Sequence, residues 1–417
     1  MPRYGIIIIK LGAIVQCQSE RDLVITFSRK RSKYLMKPRN NSLNLLLAAA
    51  MLFIILQTGC SSAVKKPLLL PMKPGFGLSE ISNPEQFPDF RDDYDKELLL
   101  QSISNSLKYF KNIKSYPSTF SSTGFTPKKQ IETLKLFRDG YIRCKNSQEL
   151  NEFVSKNFRV FQAVGTLYNG EVHFTGYGTP IYDGSLTPTE SFCYPLYEKP
   201  ADFKKPYFTR REIEERNLLG GTEIAYLKSK LEAYLIHVQG SGQIRLASGE
   251  KVYVGYAGNS GHSYTSIGRL LVLDGKVQED ELTLPVLIEY FDRHPDELDH
   301  YLRQNDRFIF FKKVPHAVPH GSIGVPVTSM RSIATDKKVF PPGGLAFATI
   351  GTQRPGAANR SKEKWHVEKS FFVLDQDTGS AIKTPARADV FFGIGDRAMY
   401  KAGNLNTYGR LYYLLKK

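Results

Sequence analysis

Three aspartates near the C-terminus have the types and spacing that could do chemistry: Asp336, Asp377 and Asp389. Asp389 sits in Arg387-Ala-Asp-Val-Phe-Phe-Gly-Ile-Gly395, where Val390, Phe391 and Phe392 favour a strand and Gly393 and Gly395 end it. Aspartate is disfavoured inside strands, so one among β-formers before a glycine turn marks either a site or a turn cap. Taken alone, the cap is the simpler account. Asp377 lies upstream in Asp375-Gln-Asp-Thr-Gly-Ser-Ala-Ile382, and Asp336 closes Arg331-Ser-Ile-Ala-Thr-Asp336. Carboxyl groups brought into one cleft can do general acid and base work, provided one of them still carries a proton near neutral pH. A free aspartate titrates near ~3.9, so such a cleft must oppose ionisation by burial or by neighbouring like charge. Asp377-Thr-Gly379 is also the tripeptide of aspartic proteases, but their paired site needs two copies and this chain has one. That activity is excluded.

The elements that must position these acids change character along the chain. Leu99, Ile103, Leu107 and Phe110 recur at helical spacing. A second helix starts at Thr126-Pro127 and carries Ile131, Leu134 and Phe137, and a third follows Asn146 with Glu149 three residues on. From Phe158 the period becomes two, first over Phe158–Val164 and then over Glu171–Pro180. Thr209-Arg-Arg-Glu212 is a capping box for a short helix. A Ser248-Gly249 turn joins two alternating runs as a hairpin, and Asp274-Gly275 predicts another. Helices are expected around Leu284–Arg293 and Pro295–Gln304, and the C-terminal strands from Phe308 onward, in a tail with little helical periodicity.

Composition bounds the possibilities. The chain has 417 residues, is 41% hydrophobic and carries a net charge of +16, ample for two or three domains. Residues 1–59 hold nine Lys/Arg and two Asp/Glu, leaving 16 − 7 = +9 for the body. A basic body suits an anionic polymer or headgroup surface. There is no zinc-finger spacing, RNP motif or basic-striped helix, so nucleic acid is not the expected partner. Cys17, Cys60, Cys144 and Cys193 form no CxxC pair, and His316 and His320 are flanked by Pro315 and Pro319, so no metal or other cofactor is expected. Cys144 and Cys193 are either a disulfide or two separate thiols. The glycines match neither phosphate-binding pattern.

Residues 1–35 do not read as a folded segment. Met36 reads as a start: Lys37 and Arg39 precede an apolar run, Leu45–Leu56, too short to span a bilayer but suited to a signal peptide. Ser61 to about Pro88 is rich in Pro, Ser and Gly and reads as a tether.

Three blocks, in order, carry a family resemblance: Thr175-Gly-Tyr-Gly-Thr-Pro180, His237-Val-Gln-Gly-Ser-Gly242, and the three aspartates with the ending Gly393-x-Gly395-x-x-Ala398-x-x-x-Ala402-Gly403-x-x-x-x-Tyr408-Gly409-Arg410. Over roughly Phe158 to Lys417 the chain resembles the membrane-bound lytic murein transglycosylase A family with its three-aspartate "3D" domain. One departure is Gly178, where the family has a second tyrosine. The resemblance implies a mainly β fold with N-terminal helices (α+β): a double-psi β-barrel bearing the aspartates, and a smaller inserted β-barrel domain. The expected divisions are 1–59 (upstream extension and lipoprotein signal peptide), 60–90 (tether), 91–179 with 290–417 (catalytic barrel), and 180–289 (insert lining a glycan groove). It implies cleavage of peptidoglycan without water, with Asp389 as catalytic acid and then base, and Asp377 and Asp336 in support. Thr175, Tyr177, Gln239 and Ser241 would contact sugar, and Leu56-Gln-Thr-Gly-Cys60 resembles a lipobox in which Cys60 is lipidated. The partners implied are glycan strands and, through the lipid, the periplasmic face of a Gram-negative outer membrane, with the protein a monomer. A hydrolase using Asp377 as second carboxylate and a non-catalytic wall-binding lipoprotein are the alternatives.

Overall fold

The computed structural model describes residues 7–9, 13–17, 23–26 and 76–417, apart from 114–115, 166–167, 316 and 352–367. The leader, Cys60, the first part of the tether and His316 lie outside these residues. The chain divides into two units, residues 1–65 and 66–417. In the first, β1 (Ile7–Ile9), β2 (Ala13–Cys17) and β3 (Leu23–Thr26) pair antiparallel. No folded segment is expected there from sequence; the short β-branched runs form strands by propensity.

In the second unit, β4 (Leu78–Ile81), β5 (Phe158–Ala163) and β6 (Val172–Thr179) belong to a sheet completed far downstream by β13 (Ser332–Ala334), β14 (Leu345–Gly351), β15 (Glu368–Asp377), β16 (Arg387–Ile394) and β17 (Asn406–Lys416). Six of these strands run β14-β15-β13-β16-β6-β17, and β17 pairs back onto β14, closing a barrel. The pairs β13–β15 and β16–β6 are parallel, and β5 and β4 extend the sheet beyond β17. The expected mainly β barrel is present. Its interior is filled from alternate positions by Phe174, Ile333, Ala346, Phe371, Val390 and Tyr413.

The tether is shorter than expected from sequence. Phe76 and Leu78 are buried in the barrel core, and β4 pairs with β5, so the chain is already structured there. The three N-terminal helices appear where their signals place them: Lys96–Asn112, Pro127–Arg143 capped by Thr126, and Ser147–Asn157 capped by Asn146. Their apolar stripes, with Leu99, Phe110, Leu134 and Phe137, cover the outer faces of Phe347 and Phe372.

The remaining strands, β7 (Ile181–Ser185), β8 (Tyr194–Tyr197), β9 (Glu223–Leu227), β10 (Ser241–Arg245), β11 (Lys251–Asn259) and β12 (Ile309–Lys313), form a second six-stranded sheet ordered β12-β11-β10-β7-β9-β8. A bridge between Glu198 and Phe311 joins its two ends. The strand at 309–313, assigned from sequence to the aspartate barrel, pairs here with β11, because sheet partners are set by contacts far apart in the chain. The Ser248-Gly249 hairpin is formed. Asp274-Gly275 is not a hairpin: Asp274 caps the helix Ile267–Leu273, with Gly275 left-handed after it. A further helix, Asp396–Asn404, fills the C-terminal stretch expected to lack one, its buried side only Ala398 and Ala402. Cys144 and Cys193 are free thiols.

Candidate active site

The barrel register lines up one row of side chains across five strands. Asn406 pairs with Thr175, Thr175 with Asp389, Asp389 with Ala334, and Ala334 with Asp377. Asp389 and Asp377 therefore sit two strand spacings apart, each about 4.8 Å. Alternation puts Phe174 and Val390 inside the barrel, and Thr175, Tyr177, Arg387 and Asp389 on its outer face.

Asp389 keeps 14% of its side chain exposed. The Thr175 hydroxyl donates to its Oδ1 at 2.5 Å, and Arg387 Nε donates to the same oxygen at 3.1 Å. Arg387 Nη2 in turn donates to Thr175 Oγ1 at 3.2 Å, closing a three-residue ring of bonds. Among the described residues Oδ2 has no hydrogen-bond partner.

Asp377 is held on both oxygens. Ser322 N and Thr378 N donate to Oδ1 at 2.9 and 2.8 Å, and the Tyr177 hydroxyl donates to Oδ2 at 2.9 Å. Burial pushes this carboxyl above the usual aspartate value, against the pull of those donors and of Lys337. Burial and the nearby Asp377 and Asp389 hold the Tyr177 hydroxyl well above its ordinary value, so it stays a donor. Tyr177 also packs on Phe391, 5.2 Å between ring centroids.

Asp336 does not join the row. It is buried, and its two oxygens accept from Lys338 N and Thr384 N, each at 3.0 Å, so it ties two loops at the barrel's end. Gln239 and Ser241 close the junction between the barrels: Gly178 N donates to Gln239 Oε1 at 3.0 Å, and the Thr179 and Ser241 hydroxyls bond at 3.0 Å. They are thus next to Tyr177 in the chain direction of β6, with part of their polar capacity used by protein.

Several neighbours were not singled out from sequence. Asp375, two residues before Asp377, is fully buried and accepts from Lys337 (a short ion pair), Thr335 at 2.8 Å and Tyr413 at 2.8 Å. Burial pushes Asp375 up and Lys337 down from their ordinary values, opposed by their mutual attraction. Between the two acids Gln376 points the other way, into Ser102, Ser106 and Ser332. A register shift between Ile333 and Ala334 lets Asp375 be buried while Asp377 reaches the surface. Sequence offered only the density of polar residues in a β segment as a signal. Among the described residues no group of His, Cys, Asp and Glu is arranged to hold a metal.

Two barrels, with a row of partly exposed carboxylates on the face of one, define a two-barrel protein with a candidate acid–base site. Residues 173–312 match the MltA-specific insert domain, and residues 331–415 match the 3D domain. The chain is 33% identical over 267 residues to the membrane-bound lytic murein transglycosylase A of Escherichia coli K12, covering 62% of this chain and 71% of that protein. The structure resembles a membrane-bound lytic murein transglycosylase from Agrobacterium tumefaciens, with TM-score 0.65, 27% identity, and 82% and 98% of the two chains covered. It also resembles E. coli MltA with bound chitohexaose, with TM-score 0.65, 26% identity, and 83% and 97% covered. The chain belongs to the membrane-bound lytic murein transglycosylase A family, a family of peptidoglycan-lytic enzymes. No helix among the described residues is long and apolar enough to cross a membrane.

Proposed function

We propose that the protein is a lytic transglycosylase that cuts the β-1,4 bond between N-acetylmuramic acid and N-acetylglucosamine in peptidoglycan and leaves a 1,6-anhydro-muramic acid end. The observation that carries this is the asymmetry of Asp389: among the described residues two protein donors end on Oδ1, while Oδ2 has none. In this reading Oδ2 holds the proton and gives it to the glycosidic oxygen as that bond breaks. The carboxylate formed is met by the Thr175 hydroxyl and Arg387, already in place. It then takes the proton of the muramic acid C6 hydroxyl, whose oxygen closes onto C1. The second nucleophile belongs to the substrate. Asp377, with every bonded oxygen committed to protein, supports Tyr177 and the loop at Ser322, and Asp336 holds the barrel end. Thr175, Tyr177, Gln239 and Ser241 lie along the path from one barrel to the other, which suits contact with a glycan. In the same reading Cys60 is lipidated and holds the protein, as a monomer, on the periplasmic face of an outer membrane.

Purified peptidoglycan digested with the protein tests this by mass spectrometry. Fragments ending in 1,6-anhydro-muramic acid are expected, and Asp389→Asn should lose them while still co-sedimenting with sacculi. Reducing ends would overturn the single-acid mechanism in favour of water guided by Asp377. Intact strands that still bind would make the protein a wall-binding lipoprotein.

A further inference from the structure

The outer face that carries Asp389 continues past it, one register step further from the insert. His173 pairs with Arg387 on one side and with Tyr408 on the other, two residues before the Asn406–Thr175–Asp389 row. Two residues along a strand are about 6.8 Å. His173 shares the parity of Thr175, and its contacts fix the direction of its neighbours. His173 Nε2 and Asn406 Oδ1 are 2.7 Å apart, and the imidazole stacks on the Tyr408 ring at 4.9 Å between centroids and 30° between planes. Tyr408 is 45% exposed, so this stack reaches solvent. At Tyr408 the strand β17 pairs with β6, and from Gly409 onward it pairs with β14 as well. An exposed ring, backed by a second ring and reached in register from Asp389, is a flat apolar surface with a polar rim of Arg387 and Asn406.

We infer that the Tyr408–His173 stack is a subsite for an N-acetylhexosamine ring of the glycan, displaced along the strand from the ring pair at Asp389. This rests on the proposed glycan-cleaving function. The apolar C–H face of a pyranose lies on the exposed Tyr408 ring, His173 holds the ring flat from behind, and Asn406 fixes His173. Binding at a ring remote from the reacting bond is realised as turnover only when the strand is long enough to reach it.

The test is the ratio of kcat/KM on an octasaccharide strand to that on a tetrasaccharide strand, both prepared from peptidoglycan. Aromatic stacking of the usual strength corresponds to roughly two- to tenfold in that ratio. Tyr408→Ala should lose this gain with length, Tyr408→Leu should lose it equally although it keeps apolar volume, and Tyr408→Phe should retain it. If the Ala variant does not fold, the Leu and Phe pair decides. An unchanged ratio in Tyr408→Leu overturns the subsite, as does an equal loss in Tyr408→Phe, which would assign the effect to the hydroxyl. Should the wild-type protein cut neither strand, the proposed function fails separately. The subsite is then read by calorimetry from the tighter binding of the longer oligosaccharide and its loss in Tyr408→Leu; no loss overturns it.

Discussion

Thr175→Val removes one hydroxyl from the site and keeps the branching and nearly the volume of the side chain. The lost bond is the 2.5 Å donation to Asp389 Oδ1. A hydrogen bond to a charged group contributes about 1.5–3 kcal/mol, which converts to roughly 10- to 150-fold in rate. Arg387 still donates to the same oxygen at 3.1 Å and takes up part of the developing charge, so the lower end is expected, about 10- to 30-fold. Because the bond strengthens only as Asp389 gives up its proton, the loss should fall on kcat and kcat/KM alike, with KM little changed. The assay is release of anhydro-ended fragments from sacculi at several substrate concentrations, with a thermal melt to show that the barrel is intact. A loss below about threefold in a folded variant, or one confined to KM, would refute the claim that Thr175 supports the carboxylate in the transition state.

Three other outcomes follow from the same structure. Asp389→Asn removes the transferable proton and should abolish turnover while leaving sacculus binding, as co-sedimentation would report. Lys337→Met leaves the fully buried Asp375 without its cation and should cost about 3–5 kcal/mol in urea unfolding, while Lys337→Met with Asp375→Leu should recover much of it. His237 is buried against Arg210 and Phe308, and burial, then Arg210, hold its imidazole well below the ordinary value. Its folded value lies below its unfolded value near ~6.5, so the stability it contributes is full above that pH and is lost as pH falls below it, by at most about 1.4 kcal/mol per unit. Urea unfolding at pH 7.5 and pH 5 should show that slope, reduced in His237→Gln; an identical slope would remove His237 as its source.

What the sequence made legible was local. Thr126, Asn146 and the Thr209–Glu212 box cap helices through bonds spanning three residues, so their signals survive without knowledge of the fold. The Phe158 and Glu171 runs became strands because alternation shows which face is buried. The helix Asp396–Asn404 was hidden because it packs small residues, Ala398 and Ala402, and leaves Tyr400 largely in solvent, so it has no apolar stripe to read. The strand at 309–313 went to the other barrel because its composition cannot name its partner. Spacing likewise placed three aspartates together, but only the register separates Asp377 and Asp389, which share a row, from Asp336, whose oxygens are spent on backbone N–H groups. Asp375 looked like any polar neighbour of Asp377 until the register shift in β13–β15 sent it inward.

The departure from the family pattern at Gly178 is accounted for by packing on the other face of β6. Gly176 and Gly178 lie under the helix Asp396–Asn404: a Cβ on Gly176 would stand 2.6 Å from Ala402 Cα, and one on Gly178 would stand 3.0 Å from the Gly393 carbonyl and 3.1 Å from Met399 Sδ. Position 178 therefore points toward that helix, while Thr175 and Tyr177 point toward the carboxylates, and the missing tyrosine removes nothing from the Asp389 row. What Gly178 does offer is its backbone N–H, which Gln239 accepts from the insert at 3.0 Å. Thr179 and Ser241 repeat that link one residue on. The same short strand thus carries Thr175 to one carboxylate and Tyr177 to the other, and is then fastened to the second barrel. The position of the insert relative to Asp389 is set through five consecutive residues, so substitutions at 178 act on the junction between barrels before they act on chemistry.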